Sequence, residues 1–109
     1  MNWYKIAKQI TLYRGEYSGN KGGGYYSTNK EFAKQFTQSG QDKEIITKHI
    51  DPKFIYDART EGKPLPSATN ENEFDNAIIR AKELGLYAFR LTEGNNQPDS
   101  VYVFDKRIL

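Results

Sequence analysis

Residues 74–91 read FDNAIIRAKELGLYAFRL, and this stretch decides the fold class. Its first half repeats apolar residues at helical spacing, which predicts a helix over residues 71–84. The apolar positions are Phe74, Ala77, Ile78, Ala81 and Leu84. Gly85 is the expected C-terminal stop, because glycine readily adopts the left-handed conformation that ends many helices. The following residues, 86–91, have the composition of a strand, so the stretch predicts a helix and a strand in direct succession.

Strand patterns lie on both sides of this unit. Residues 100–105 (SVYVFD) are rich in β-branched and aromatic side chains, and residues 44–50 (EIITKHI) have a strand composition with alternating faces. The predicted strands cover residues 11–14, 25–28, 44–50, 54–57, 86–91 and 100–105.

Two further helices are predicted near the start of the chain. Residues 2–10 can place four apolar side chains on one helical face. Thr28 and Glu31 have the spacing of a capping box, which predicts a helix that starts at Asn29 and ends at Gly40.

Glycine and proline mark the loops, which are predicted at residues 18–24 (SGNKGGG), 58–70 and 93–98 (EGNNQP). The 109 residues have the length of one domain. We therefore predict a single α+β domain over residues 1–109, with six or so short strands and two or three helices.

The composition excludes several kinds of site. The chain has no Cys and one His, so disulfides, thiolate metal ligands and a zinc site of several histidines are excluded. We expect no metal and a reducing, cytoplasmic location. The net charge is +2 with acidic and basic residues interspersed, which indicates a solvated surface and makes nucleic acid an unfavoured partner.

No apolar run approaches the ~20 residues that span a membrane. Residues 1–10 also lack the apolar stretch of a signal peptide. We expect no membrane partner.

Three segments that lie far apart in the sequence contain candidate site residues. The first is LYRG, residues 12–15. Arg14 on a strand can direct its guanidinium at a phosphate, and Gly15 lets a ligand approach the backbone closely. The alternative is a surface arginine before a turn.

The second segment is GGGYYST, residues 22–28. Its glycines can form a lip beside the rings of Tyr25 and Tyr26, and the hydroxyls of Ser27 and Thr28 can hydrogen-bond an amide or a ribose. The alternative is a hairpin loop in which Thr28 serves only as a helix cap.

The third segment, residues 93–105, places polar residues before an apolar strand. A carboxylate at the mouth of such a strand can stabilise a cation or accept a proton. An ordinary polar turn is the alternative.

The order of these segments resembles the ADP-ribosyltransferase superfamily. The stretch YYSTNKEFAKQF, residues 25–36, is similar to that family's aromatic-Ser-Thr-Ser strand and the helix after it. The stretch at residues 74–91 is similar to the unit before the last strand in small phage-associated members, which include polyvalent-protein domains and anti-CRISPR enzymes. The resemblance implies a split β-sandwich of two small sheets with NAD, as substrate, in the cleft between them.

The resemblance also implies roles for individual residues. Arg14 would contact an NAD phosphate or ribose, and the backbone of Gly15 would lie near the carboxamide. Tyr25 or Tyr26 would stack on the nicotinamide ring. Ser27 would support the ribose or the catalytic acid, with Thr28 beside it. Asn29 stands where the family pattern has its second Ser.

The chain departs from the family at the catalytic acid. Family members place Glu at the start of the last strand, where this chain has Ser100. A fixed carboxylate is needed there, because cleavage of the glycosidic bond leaves positive charge on the ribose. Three acids can substitute, namely Asp75, Glu93 and Asp99, and each can equally be a solvated surface acid.

The resemblance implies a mono-ADP-ribosyltransferase that modifies a macromolecule, foremost a protein. Its small relatives suggest a phage or mobile-element effector that acts in the host cytoplasm. A degenerate module of the same fold, which blocks a partner without catalysis, is the alternative. A nucleic-acid-binding protein is a third hypothesis, disfavoured by the low net charge.

Overall fold

The computed structural model describes residues 9–18, 20, 22–37 and 43–109, in which six strands form one mixed sheet. The strands are β1 (Ile10–Glu16), β2 (Tyr25–Ser27), β3 (Glu44–Ile50), β4 (Ile55–Tyr56), β5 (Ala88–Thr92) and β6 (Asp99–Val103). Their order is β3-β1-β2-β6-β5-β4, and the β4–β5 pair is parallel while the other pairs are antiparallel. The described chain also has two α-helices, α1 (Lys30–Lys34) and α2 (Glu71–Glu83), so the α+β class is confirmed.

The predicted helix of residues 71–84 is confirmed as α2. The Asn70 side chain caps its first turn by accepting a hydrogen bond from the Glu73 amide at 3.0 Å. Gly85 ends it with φ of 72°. The Leu86 amide bonds back to the Ala81 carbonyl at 2.9 Å, a C-terminal motif that occupies Leu86 and delays the start of β5 to Ala88.

The helix α1 begins one residue later than predicted, because its cap is a different residue. Asn29, and not Thr28, is the N-cap, and its side chain accepts from the Phe32 amide at 2.9 Å. The Thr28 hydroxyl donates instead to the Asp99 carbonyl at 2.7 Å. A 3₁₀ turn, Gln35–Thr37, follows α1, and the predicted end at Gly40 lies outside the described residues.

The predicted strands are confirmed with shifts at their ends. Residue 9 is not helical and β1 begins at Ile10, so the predicted helix over residues 2–10 is wrong at its last two residues, and residues 2–8 lie outside the described residues. The strand predicted over residues 54–57 is only Ile55–Tyr56, because Asp57 caps a 3₁₀ turn at Ala58–Glu61 inside the predicted loop. The last strand ends at Val103, since the amides of Phe104 and Asp105 both turn to the Tyr87 carbonyl.

Apolar side chains cover both faces of the sheet. On one face, α2 packs on Phe89, Leu91 and Tyr102. On the other, Leu12, Val101 and Val103 form the centre of a second cluster, which also includes the buried ring of Tyr26. Alternation along each strand therefore assigns every strand residue to the helix-covered face or to the opposite face.

In the described sheet, β1 and β2 have the shortest strand pairing. In the described residues these strands pair at one position, Tyr13 with Ser27, whereas β1 pairs with β3 along its full length from Ile10 to Glu16. The helix α1 packs beside this narrow junction, and an added Cβ on Gly15 would stand 2.0 Å from the Ala33 carbonyl oxygen. Gly15 therefore allows α1 to lie directly against β1.

Substitution of Gly15 tests this close approach. We expect Gly15→Ala to lower the free energy of unfolding by about 3 kcal/mol, because the added methyl group meets a backbone carbonyl that cannot rotate away. Chemical denaturation measures the change. Gly85→Ala is the matched control, since its added Cβ meets nothing within 4 Å and only the positive φ opposes it, at about 1 kcal/mol. A Gly15→Ala variant as stable as Gly85→Ala would contradict the packing of α1 on β1.

Candidate functional site

A cleft of about 440 Å³ opens on the helix-covered face of the sheet, beside the β1–β2 junction. Its floor is a row of side chains from three neighbouring strands, Tyr13, Ser27 and Ser100, which are paired across the sheet. Small-molecule sites have volumes of about 300–1,000 Å³, so this cleft is large enough for a ligand.

Aromatic residues and a short loop form the walls of the cleft. On one side, Phe32 and Phe36 of the α1 segment stand with their ring centroids 5.5 Å apart. The backbone around Ala68 and Thr69 borders the cleft elsewhere, held to β5 by the Ala68 amide, which donates to the Thr92 carbonyl at 2.9 Å. The site is thus built from segments distant in sequence.

Tyr25 belongs to an aromatic cluster at one end of the cleft. Its ring centroid lies 5.0 Å from that of Tyr102 and 6.0 Å from that of Phe74 on α2. The pKa of Tyr25 is raised by burial first, then by the negative charge of Glu93 and by Tyr102. Tyr25 therefore keeps its phenolic proton at neutral pH and presents an uncharged ring.

Arg14 lines the cleft, but its guanidinium is largely occupied by protein groups. Its Nε donates to Glu16 at 2.9 Å, one Nη donates to the Tyr25 carbonyl at 3.0 Å and the other to the Asn20 carbonyl. Both side chains of the Arg14–Glu16 ion pair are more than 90% buried. Three of the five N–H donors of the arginine side chain are therefore used within the protein. Since Tyr13 belongs to the floor of the cleft, alternation along β1 directs the Arg14 side chain to the opposite face of the sheet.

The loop after β1 completes the surroundings of Arg14. Glu16 also accepts from the Gly22 amide at 3.2 Å, and the Asn20 side chain donates to the Gly15 carbonyl at 3.1 Å. A Cβ on Gly23 would stand 2.4 Å from an Arg14 Nη atom. Gly23 of the predicted glycine-rich loop therefore packs on the Arg14 guanidinium, and its lack of a side chain lets the loop cover the arginine.

Only one of the three candidate acids lines the cleft. Glu93 follows β5 and borders the cleft, and it forms no ion pair with any residue in the described ranges. Asp99 points elsewhere and lies 3.4 Å from Arg90 and 4.0 Å from Arg59. Asp75 is exposed on α2 and is not part of the lining.

The structure brings together most of the predicted ligand-binding residues. Those that border the cleft are Arg14, Gly15, Tyr25, Tyr26 and Ser27, while Thr28 lies outside the lining and ties β2 to β6. The ring of Tyr26 is buried in the core on the opposite face of the sheet, so of the two rings predicted to stack on a ligand only that of Tyr25 is on the cleft side. Sequence reasoning missed Tyr13, Phe32, Phe36 and the Ala68–Thr69 segment. Tyr13 could have been identified, because it pairs with Ser27 across the sheet and therefore lies on the same face. No local sequence signal indicates Ala68 and Thr69.

No protein-family model, curated protein or solved structure matches the chain. The proposed relationship to ADP-ribosyltransferases thus depends on the resemblance of the residues and on the geometry of the cleft. Within the described part of the chain, no helix has the length and apolar character needed to cross a membrane. The same residues contain no group of three or more His, Asp or Glu side chains placed to hold a metal ion, and the absence of a metal stays a prediction.

The buried ion pair gives a test of the site's architecture. We expect Arg14→Ala to lower the free energy of unfolding by about 3–5 kcal/mol, because it leaves Glu16 charged and buried without a partner. In the double variant Arg14→Ala/Glu16→Ala the loss should be smaller than the sum of the two single losses. Urea unfolding of the three variants measures this coupling.

Arg107→Ala is the control for the ion pair, since it removes an arginine whose pair with Asp105 is at the surface, and we expect little change in stability. Additive effects of Arg14→Ala and Glu16→Ala would show that the two side chains do not interact as described.

Proposed function

We propose that the protein is a mono-ADP-ribosyltransferase that binds NAD in the cleft and transfers ADP-ribose to a macromolecule, foremost a protein. One observation carries the proposal. Arg14, the Tyr25–Ser27 strand and the Glu93 carboxylate are far apart in sequence and border the same cleft. The family resemblance assigns phosphate, nicotinamide and ribose to the first two, and Glu93 is the one of the three candidate acids that borders the cleft.

The proposed reaction needs an anion next to the sugar. The bond between nicotinamide and C1′ of the ribose breaks, its electron pair leaves with the nicotinamide, and C1′ becomes cationic. Glu93 stabilises this charge electrostatically, and the nucleophile of the acceptor then bonds to C1′ and releases its proton to water. Glu93 is suited to this role because it is not neutralised by a neighbouring cation in the described residues.

Sheet geometry supports the proposed fold relationship. The resemblance implies two small sheets with the ligand between them. The single residue pair between β1 and β2 is the position at which one sheet would divide into two, and the cleft lies beside it. We propose that the six-stranded sheet corresponds to the family's split β-sandwich.

A non-catalytic module of the same fold is the second candidate, and the state of Arg14 favours it. The Arg14 guanidinium already donates to three protein groups. At the position where the family has its catalytic acid, this chain has Ser100. Such a module would keep the cleft for a ligand or a partner without transferring ADP-ribose. The two candidates differ in what Glu93 does.

Replacement of Glu93 decides between them. We expect Glu93→Gln to lower the rate of transfer at least 100-fold while NAD affinity changes little, because the carboxylate stabilises the transition state more than bound NAD. Incubation with labelled NAD and a bacterial lysate measures transfer, and calorimetry measures binding.

Asp75→Asn is the matched control, since it removes an acid outside the cleft, and it should transfer label at the wild-type rate. Equal transfer by Glu93→Gln and wild type would reject Glu93 as the catalytic acid. Wild-type protein that binds NAD without transferring label would favour the binding module. Absence of NAD binding would reject the transferase and would leave only a module whose cleft serves another ligand or a partner.

A further inference from the structure

Two serine side chains stand side by side on the floor of the cleft. Ser27 of β2 and Ser100 of β6 are directly paired across the sheet, and both line the cleft. The Cβ atoms of such cross-strand partners are about 4.5–5.5 Å apart, so their hydroxyls can reach one ligand group. Glu93 lies on the same face, because Ser100 pairs with Leu91 and Glu93 follows Leu91 by two residues.

The two hydroxyls have different partners within the protein. Ser27 accepts a hydrogen bond from the Asn29 amide at 3.0 Å. Ser100 is only 2% exposed, and its hydroxyl bonds to none of the described residues. In the described ranges, every fully buried side-chain nitrogen or oxygen has a hydrogen-bond partner. Because the Ser100 hydroxyl has no partner, its oxygen is not fully buried and borders the open cleft.

The Ser100 hydroxyl thus borders the cleft with hydrogen-bonding capacity that no described protein group uses. A ligand in the cleft can use that capacity. If Glu93 stabilises C1′ of a ribose, the next carbon, C2′, and the one after it, C3′, carry the two vicinal hydroxyls of that sugar. A pair of serines that can each donate and accept matches such a diol.

We propose that Ser100 is a ligand-binding residue, which together with Ser27 holds the vicinal diol of the ribose whose glycosidic bond is broken. This inference rests on the proposed function and adds to it a residue that takes over the position of the family's acid with a different task. Ser100 binds the sugar, and Glu93 supplies the charge from the end of the neighbouring strand.

Ser100→Ala tests the inference by its separate effects on stability and affinity. We expect its unfolding temperature to equal or exceed that of the wild type, because no internal hydrogen bond is lost. Its affinity for NAD measured by calorimetry should fall about tenfold. For an NAD analogue that lacks both hydroxyls of the nicotinamide ribose, wild type and Ser100→Ala should bind equally well.

Two further variants serve as comparisons. Ser27→Ala should lower both affinity and stability, since its hydroxyl also accepts from Asn29. Thr47→Ala removes an exposed hydroxyl from the same row of the sheet, outside the cleft, and should change neither. Ser100→Cys, which keeps the side-chain size, should repeat the loss of affinity if Ser100→Ala does not fold.

The possible results separate the inference from the proposed function. Wild-type affinity in Ser100→Ala, or an equal loss with the analogue and with NAD, overturns the role of Ser100 while the transferase proposal stands. Failure of the wild type to bind NAD overturns both.

Discussion

The hydrogen bonds of Arg14 hold together the part of the molecule on which the site depends. Where β1 and β2 pair at a single position, the guanidinium of Arg14 reaches across to the Tyr25 carbonyl and is fixed from behind by Glu16. The Asn20 carbonyl adds the following loop to this group. These bonds add to the one backbone pair and to the shared apolar core that hold the two strands at a fixed separation beside the cleft.

This arrangement affects what the site can do. A buried ion pair is worth little as a source of stability compared with a well-packed apolar pair, but it fixes geometry when further hydrogen bonds satisfy the charges. Here the bond from Arg14 to the Tyr25 carbonyl helps to hold Tyr25 and Ser27 in place along β2. The role that the structure gives to Arg14 is therefore first a structural one.

The proposed catalytic acid and the proposed sugar-binding residue come from two different segments of the chain. In the proposed reaction, Glu93 supplies negative charge from the turn after β5, and Ser100 contributes a small hydroxyl from β6. The turn itself contains two residues with positive φ, Gly94 at 121° and Asn96 at 63°, which give the chain a sharp change of direction after Glu93. Asp99, although adjacent to Ser100 in sequence, faces Arg90 on the other side of the sheet.

Much of the fold could be predicted from local patterns, because helix and strand periods and glycine stops act over a few residues. The helix α2 and the strand β3 are examples, since both carry strong periodic or β-branched sequences. The sequence predicts Thr28 as the N-cap, one residue before the observed cap at Asn29, because both residue types can cap a helix. The Thr28 hydroxyl instead donates to the carbonyl of Asp99 on β6, 71 residues further along the chain.

The site was harder to predict than the fold. The sequence indicated Arg14, Tyr25 and Ser27, but it could not choose among three acids, because that choice depends on which face of the sheet each one reaches. Nor could it indicate that Arg14 is occupied by Asn20 and Glu16, since these contacts arise from the path of a short loop.

A crystal structure of the protein with NAD would show whether the cleft binds the dinucleotide. We expect density for NAD along the floor of the cleft, with the nicotinamide ribose between Ser27 and Ser100 and the Glu93 carboxylate facing C1′. NAD bound at another surface, or Glu93 turned away from the sugar, would contradict the proposed function.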